Sequence, residues 1–196
     1  MKPKDTVKNN SSLKHHLRNK FRVEKYNQVN ISDKAKVRDC KISIKGSNNR
    51  LIIEGGVNLR GSFIEIDGIG CTIHISKDCI IGDNCYLSAR ERGISLVLGE
   101  GCMLSRNIKL MTSDGHNISR KNQRINPAKS ITISNQVWLA DSVTILKGVT
   151  VGEGSIVGIN STLTKSIGHN QVAVGNPAKV VISETSWQHE LTFKPQ

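Results

Sequence analysis

Residues 131–166 repeat in sixes: ITISNQ, VWLADS, VTILKG, VTVGEG, SIVGIN, STLTKS. An aliphatic side chain returns at Ile133, Leu139, Ile145, Val151, Val157 and Leu163. Two places before each stands a small or β-branched residue: Ile131, Val137, Val143, Val149, Ser155 or Ser161. A helix repeats every 3.6 residues and a strand every two, so neither alone yields a six. A chain that turns a corner after each short strand does yield it, because equivalent inward positions then stack coil upon coil. A hexapeptide period predicts a parallel β-helix, and at three sixes to a triangular coil this stretch supplies about two coils.

The 196 residues suggest one domain with appendages. From Val29 onward, apolar residues stand two apart at Ile42/Ile44, Leu51/Ile53, Val57/Leu59, Ile64/Ile66 and Ile73/Ile75, with corners containing Gly, Asn and Asp between them. The sixes are irregular there, which predicts distorted coils. They are clean at Ile75, Ile81 and Leu87, and break across residues 88–97. That break reads as a bulged corner holding Arg90, Glu91 and Arg92. They resume at Leu98, Leu104 and Leu110, then stop for residues 111–130, MTSDGHNISRKNQRINPAKS. Because the rhythm restarts unchanged at Ile131, residues 111–130 are a loop thrown out from an intact coil, and long loops on rigid scaffolds are uncommon unless used. Beyond Ile167, Val172 and Val174 form a last strand, Gly175-Asn176-Pro177 a turn, and Val180 and Ile182 a closing strand. The tail, residues 183–196, is expected to cap the open end through Trp187, Leu191 and Phe193. The β-helix thus occupies residues 29–182.

Residues 1–28 differ in kind. Lys2, Lys4, Lys8, Lys14, Arg18, Lys20, Arg22 and Lys25 face only Asp5 and Glu24. Leu13, Leu17 and Phe21 recur every four residues, which predicts one apolar side of a short helix. Two readings stand: a solvated arm with one docked helical turn, or an arm that holds an anionic polymer or the inner membrane surface. The net charge of +12 favours polyanionic partners. Nucleic acid is not expected, since no basic helix interleaved with aromatics and no zinc spacing occurs. Cys40, Cys71, Cys79, Cys85 and Cys102 are read as core thiols. Their odd number, with no signal peptide and no membrane-length apolar run, predicts a cytoplasmic protein.

The runs VWLA (137–140), GVTVG (148–152), VGINSTLTK (157–165) and VAVGNPAKV (172–180) resemble the hexapeptide-repeat acyltransferases. The loop TSDGHNI (112–118) resembles the histidine-bearing loop of their sugar and capsular-polysaccharide O-acetyltransferase branch. The resemblance covers roughly residues 40–182. It implies an all-β, left-handed parallel β-helix, acetyl-CoA as co-substrate, and a homotrimer with each active site between neighbouring helices. General crossover geometry alone would favour the opposite hand.

On that resemblance His116 is the general base that takes a proton from an acceptor hydroxyl, and imidazole is suited to this near neutral pH. Asp114 either orients the ring or contacts acceptor, or simply forms the turn before Gly115. Trp138 lies between inward Val137 and Leu139, so strand alternation points it outward. It serves as a platform in the acceptor or thioester cleft, or as interface packing. Asn107 is either an acceptor ligand or a corner residue. The resemblance assigns coenzyme A contacts to Ala140 through its backbone N–H, and to Gly158, Ile159, Thr164, Lys165, Pro177 and Lys179. Where relatives read GAGS this chain reads GINS, so Ile159 narrows that corner. His15, His16, His74, His169 and His189 do not assemble a three-histidine metal site, and no metal is expected. The expected activity is O-acetylation of a sugar hydroxyl in a bacterial surface or capsular polysaccharide, with an anionic acceptor, such as one containing sialic acid, suggested by the charge. The alternatives are N-acetylation of an amino-sugar nucleotide and a non-enzymatic scaffold.

Overall fold

The computed structural model describes residues 9, 10, 12–190, 192 and 193. Lys2, Lys4, Asp5, Lys8 and Leu191, named above, lie outside the described residues. The chain winds into a three-sided parallel β-helix. The first face stacks Gln28–Ile31, Arg50–Ile53, Thr72–Ile75, Ser95–Leu98, Ile131–Ile133 and Thr150–Val151, with Asn9–Asn10 at its edge. The second stacks Lys36–Arg38, Asn58–Arg60, Ile80–Ile81, Met103–Leu104, Trp138–Leu139, Ile156–Val157 and Gln171–Gly175, and ends in the antiparallel Ala178–Ser183. The third stacks Lys20–Val23, Lys41–Ser47, Phe63–Ile69, Tyr86–Arg92, Lys109–Met111, Thr144–Leu146 and Thr162–Leu163.

Register places like side chains on top of one another. Ile42, Ile64, Leu87, Leu110, Ile145 and Leu163 form one inward column of the third face, all fully buried. Each such aliphatic contributes about 1.5–3 kcal/mol relative to exposure. The five cysteines are buried and free, as small inward residues of this core. Among the described residues no helix is long and apolar enough to cross a membrane.

The early coils are longer than three sixes. Arg50 lies 22 residues after its partner Gln28, and Thr72 another 22 after Arg50, whereas Thr150 lies 18 after Thr132. The excess sits on the third face, where Lys41–Ser47, Phe63–Ile69 and Tyr86–Arg92 each run to seven residues. The bulged corner expected at residues 88–97 is therefore corrected. Arg90, Glu91 and Arg92 belong to an unbroken strand, and Ala89 provides a second inward position beneath Ile66 and Ile44. Two inward residues per strand shift the sequence off its sixfold beat without disturbing the coil.

At the ends of these long strands the backbones approach closely. A Cβ on Gly68 would fall 2.1 Å from the Glu91 carbonyl oxygen, in a stack that also holds Gly46. Nearby, buried Asn49 donates to the Gly68 carbonyl at 2.8 Å and accepts from the Cys71 N–H at 2.8 Å, a corner staple repeated one coil earlier by Asn27. Gly68→Ala is expected to cost about 1–3 kcal/mol by overpacking. That should lower the thermal midpoint by more than Gly55→Ala does, since Gly55 has no left-handed backbone and an added Cβ there meets nothing closer than 3.5 Å. Equal midpoints for the two variants would refute the close-approach account.

The ends of the chain depart from expectation. The helix Leu13–Arg18 turns Leu13 and Leu17 outward, 74% and 78% exposed, and buries His15 instead. The reason is polar: the His15 ring bonds the Ala35 carbonyl through Nε2 at 3.2 Å and Ser12 Oγ through Nδ1 at 3.2 Å. Phe21 is not on that helix but in Lys20–Val23, which pairs with Lys41–Ser47, so the coil begins at Lys20 rather than Val29. At the other end, the tail does not lie over the open coil. It runs back along a corner, where Trp187 Nε1 donates to the Gln136 carbonyl at 2.7 Å and His189 Nε2 meets the Gly101 carbonyl at 2.9 Å. Phe193 is 94% exposed and caps nothing.

Candidate active site

Two features stand off the coil: the loop of residues 111–130 and a groove on the second face. The loop leaves Lys109–Met111 and carries a small hairpin, Ser119–Arg120 against Gln123–Arg124. Asn126 organises it from a buried position. Its Oδ1 accepts the Ile118 N–H at 2.7 Å, and its Nδ2 donates to Asp114 Oδ2 at 2.7 Å and to the His116 carbonyl at 2.8 Å. His116 is thereby held by its backbone while its side chain stays exposed.

Charged side chains tie this turn to the coil. Arg124 grips Glu91 through both terminal nitrogens, at 2.8 and 2.6 Å, and Ser113 Oγ donates to Glu91 at 2.7 Å. The Arg124 guanidinium holds the Glu91 carboxyl down at about 2, so the clasp remains ionised through the ordinary working range. Lys147 reaches Asp114 and donates to the Asn126 carbonyl at 3.1 Å. Lys147 and then Asn126 keep the Asp114 carboxyl below its usual range. The Asp114 carboxylate is thus engaged by the side chains of Lys147, from the coil, and Asn126, and these bonds do not involve the His116 ring. Glu91 and Arg124 are 33 positions apart, and Asp114 and Lys147 also 33, which is why sequence reading missed these partners. For Asn126, its place before Pro127 is the one local turn signal the sequence offers.

The groove, of about 470 Å³, is lined by Ile80, Gly82, Met103, Leu104, Ser105, Arg106, Trp138, Ala140, Asp141 and Ile159. It brings together three of the expected residues: Trp138, Ala140 and Ile159. Trp138 is half-buried, points outward in register between Met103 and Ile156, and donates from Nε1 to Ser105 Oγ at 3.3 Å. Trp187 of the tail packs 6.0 Å from it, ring centre to ring centre. Ile159 stands 63% exposed at the rim. The expected role of the Ala140 backbone is corrected: its N–H donates to the Val157 carbonyl at 2.9 Å, and Gly158 N–H to the Ala173 carbonyl at 2.9 Å. Both amides are consumed by coil stacking, so any ligand contact there comes from other groups.

The remaining expected residues lie apart from this groove. Thr164 and Lys165 are exposed just past Thr162–Leu163, and Pro177 and Lys179 are exposed on the terminal hairpin. Asn107 adopts φ 61° at a corner, with Asn84, Ser142 and Asn160 in the same left-handed conformation at corners of other coils. That backbone demand accounts for asparagine there. No loop residue lines the groove, so within one chain His116 and Trp138 belong to separate surfaces.

No family model matches the chain. Among curated proteins it is similar to the polysialic acid O-acetyltransferase of Neisseria meningitidis, 34% identical over 124 residues, 62% of this chain and 56% of that protein. The chain spans about half the length of the curated relatives it matches. Among solved structures it is similar to the polySia-specific acetyltransferase NeuO, with a TM-score of 0.79 and 31% identity over 85% of this chain and 76% of that one. It is equally similar to the polysialic acid O-acetyltransferase OatWY, with a TM-score of 0.79 and 30% identity over 86% of this chain and 80% of that one.

Proposed function

The chain belongs to the left-handed β-helix, hexapeptide-repeat acetyltransferases, and from that membership we propose that it transfers acetyl from acetyl-CoA to a hydroxyl of an anionic surface or capsular polysaccharide. The observation that carries the reading is the loop: twenty residues leave an unbroken coil, are fastened by buried Asn126, and leave one exposed imidazole at the turn. His116 takes the proton of the acceptor hydroxyl as that oxygen attacks the thioester carbonyl. The resulting tetrahedral oxyanion needs hydrogen-bond donors. As the C–S bond breaks, the imidazolium returns its proton to the departing thiolate, so the base is restored at each turnover.

The apolar groove beside Trp138 receives the thioester arm, and Ile159 tightens its rim. Lys165 and Lys179 supply mobile positive charge for phosphates, with Thr164 and Pro177 beside them. His116 and the groove occupy different surfaces of one chain, which favours a homotrimer in which the loop of one copy meets the groove of the next. Similarity to two polysialic acid acetyltransferases and the +12 charge support an anionic acceptor. A cytoplasmic site of action, with the basic arm near the inner membrane, suits five reduced buried thiols.

Labelled acetyl-CoA offered with polysialic acid, a neutral polysaccharide and an amino-sugar nucleotide tests this reading. Alkali-labile label on polysialic acid is the expected result. Stable amide label on the amino-sugar nucleotide would assign the protein to N-acetylation. No transfer, together with no rise in melting temperature on adding acetyl-CoA, would make it a scaffold.

A further inference from the structure

The third face carries an outward column in register: Lys20, Lys41, Phe63, Tyr86 and Lys109. Phe63 and Tyr86 stack with ring centres 5.4 Å apart, and the Lys41 ammonium sits 4.6 Å over the Phe63 ring. Tyr86 is braced by its hydroxyl on Glu65, which also receives Arg90 at 2.6 Å. Beside this pillar lies a cavity of about 500 Å³ whose cationic lining is Arg22, Lys41 and Lys45, with Ser43 among its other lining residues. Glu24 and Glu65 also line the cavity; Glu65 is engaged by Arg90 and Glu24 accepts the Gly46 N–H at 2.8 Å, while among the described residues the three cations make no ion pair and outnumber the two acids. Asp67 stands in register between Lys45 and Arg90.

We infer that this face is a remote track for the acceptor polymer, in which Arg22, Lys41 and Lys45 hold a carboxylate-bearing sugar unit several residues away from the one acetylated. The inference rests on the acceptor class proposed above. Its geometry favours a chain over a single sugar. Strands stack about 4.8 Å apart, so the column from Lys20 to Lys109 extends roughly 19 Å along the coil axis. It ends at Lys109–Met111, the strand from which the His116 loop departs. A polyanion seated on the cavity and drawn over the aromatic pillar is therefore led toward the loop. A cation held against an aromatic face stays ordered and partly desolvated, which strengthens its hold on a carboxylate relative to a free surface lysine.

The test uses the full chain and two kinds of readout. Calorimetry with polysialic acid, neutral dextran and anionic phospholipid vesicles measures binding without turnover. Binding to polysialic acid alone is expected, weakened by salt, and lowered tenfold or more by the double substitution Arg22→Glu/Lys45→Glu. Lys34→Glu, a single charge reversal on another corner, should leave it intact while Arg22→Glu and Lys45→Glu singly each lower it, with circular dichroism showing all the variants folded. In acetyl transfer, the double variant should raise KM tenfold or more for long polymer while leaving kcat, KM for acetyl-CoA and KM for a disaccharide acceptor unchanged. Unchanged polymer affinity and KM in the double variant overturn the track, as does binding to vesicles in place of polymer. If polymer binds through these residues but is never acetylated, the track stands and the proposed reaction fails.

Discussion

His116→Ala should lower kcat by about 10²–10⁴, the usual contribution of a positioned general base, equivalent to about 3–5.5 kcal/mol of transition-state stabilisation. KM for acetyl-CoA should change little, because the role proposed for the ring is to take the acceptor's proton and not to bind the thioester. The melting temperature should also hold. The exposed ring does not participate in the bonds that fasten the turn, which use the His116 carbonyl. Steady-state rates with labelled acetyl-CoA and polysialic acid, beside thermal melts, measure these effects. Wild-type rates in the alanine variant would remove the imidazole from the mechanism.

What sequence reading found and missed follows from the range of the interactions involved. The coil was legible because stacking makes every corner and inward residue repeat locally. Ile133, Leu139 and Ile145 report the fold without knowledge of any distant partner. The seven-residue strands were misread because Ile44, Ile66 and Ala89 add a second inward position, which leaves alternation intact but breaks the six. The helix Leu13–Arg18 was oriented wrongly because spacing counts apolar side chains, whereas two hydrogen bonds decided that His15 faces inward. Trp138 was correctly turned outward by strand alternation, a two-residue rule. The free amide expected at Ala140 failed because a backbone N–H is committed by its neighbour in the next coil, Val157, and a linear pattern carries no such information. Likewise the clasp of Glu91 on Arg124 exists only because the coil returns Tyr86–Arg92 beneath the departing loop.

Asn126→Ala tests whether that loop is positioned or merely attached. The substitution deletes one acceptor and two donated bonds at a buried site, leaving the Ile118 N–H and the His116 carbonyl to find other partners. Removing one side of buried hydrogen bonds costs about 1–3 kcal/mol. The Glu91–Arg124 and Asp114–Lys147 pairs remain, so the loop should loosen and not detach. A displacement of about 1 Å at a reacting group can reduce the rate on the order of 10²-fold, and kcat should fall by about 10–10². Because the base itself survives, the residual rate should stay above that of His116→Ala. Faster amide hydrogen exchange across residues 112–126, with unchanged exchange in the coil, should accompany the loss. Asn126→Asp should fare no better than alanine: it restores the acceptor for Ile118 but sets a second carboxylate against Asp114. A fully active alanine variant would mean that the ion pairs alone hold His116 in place.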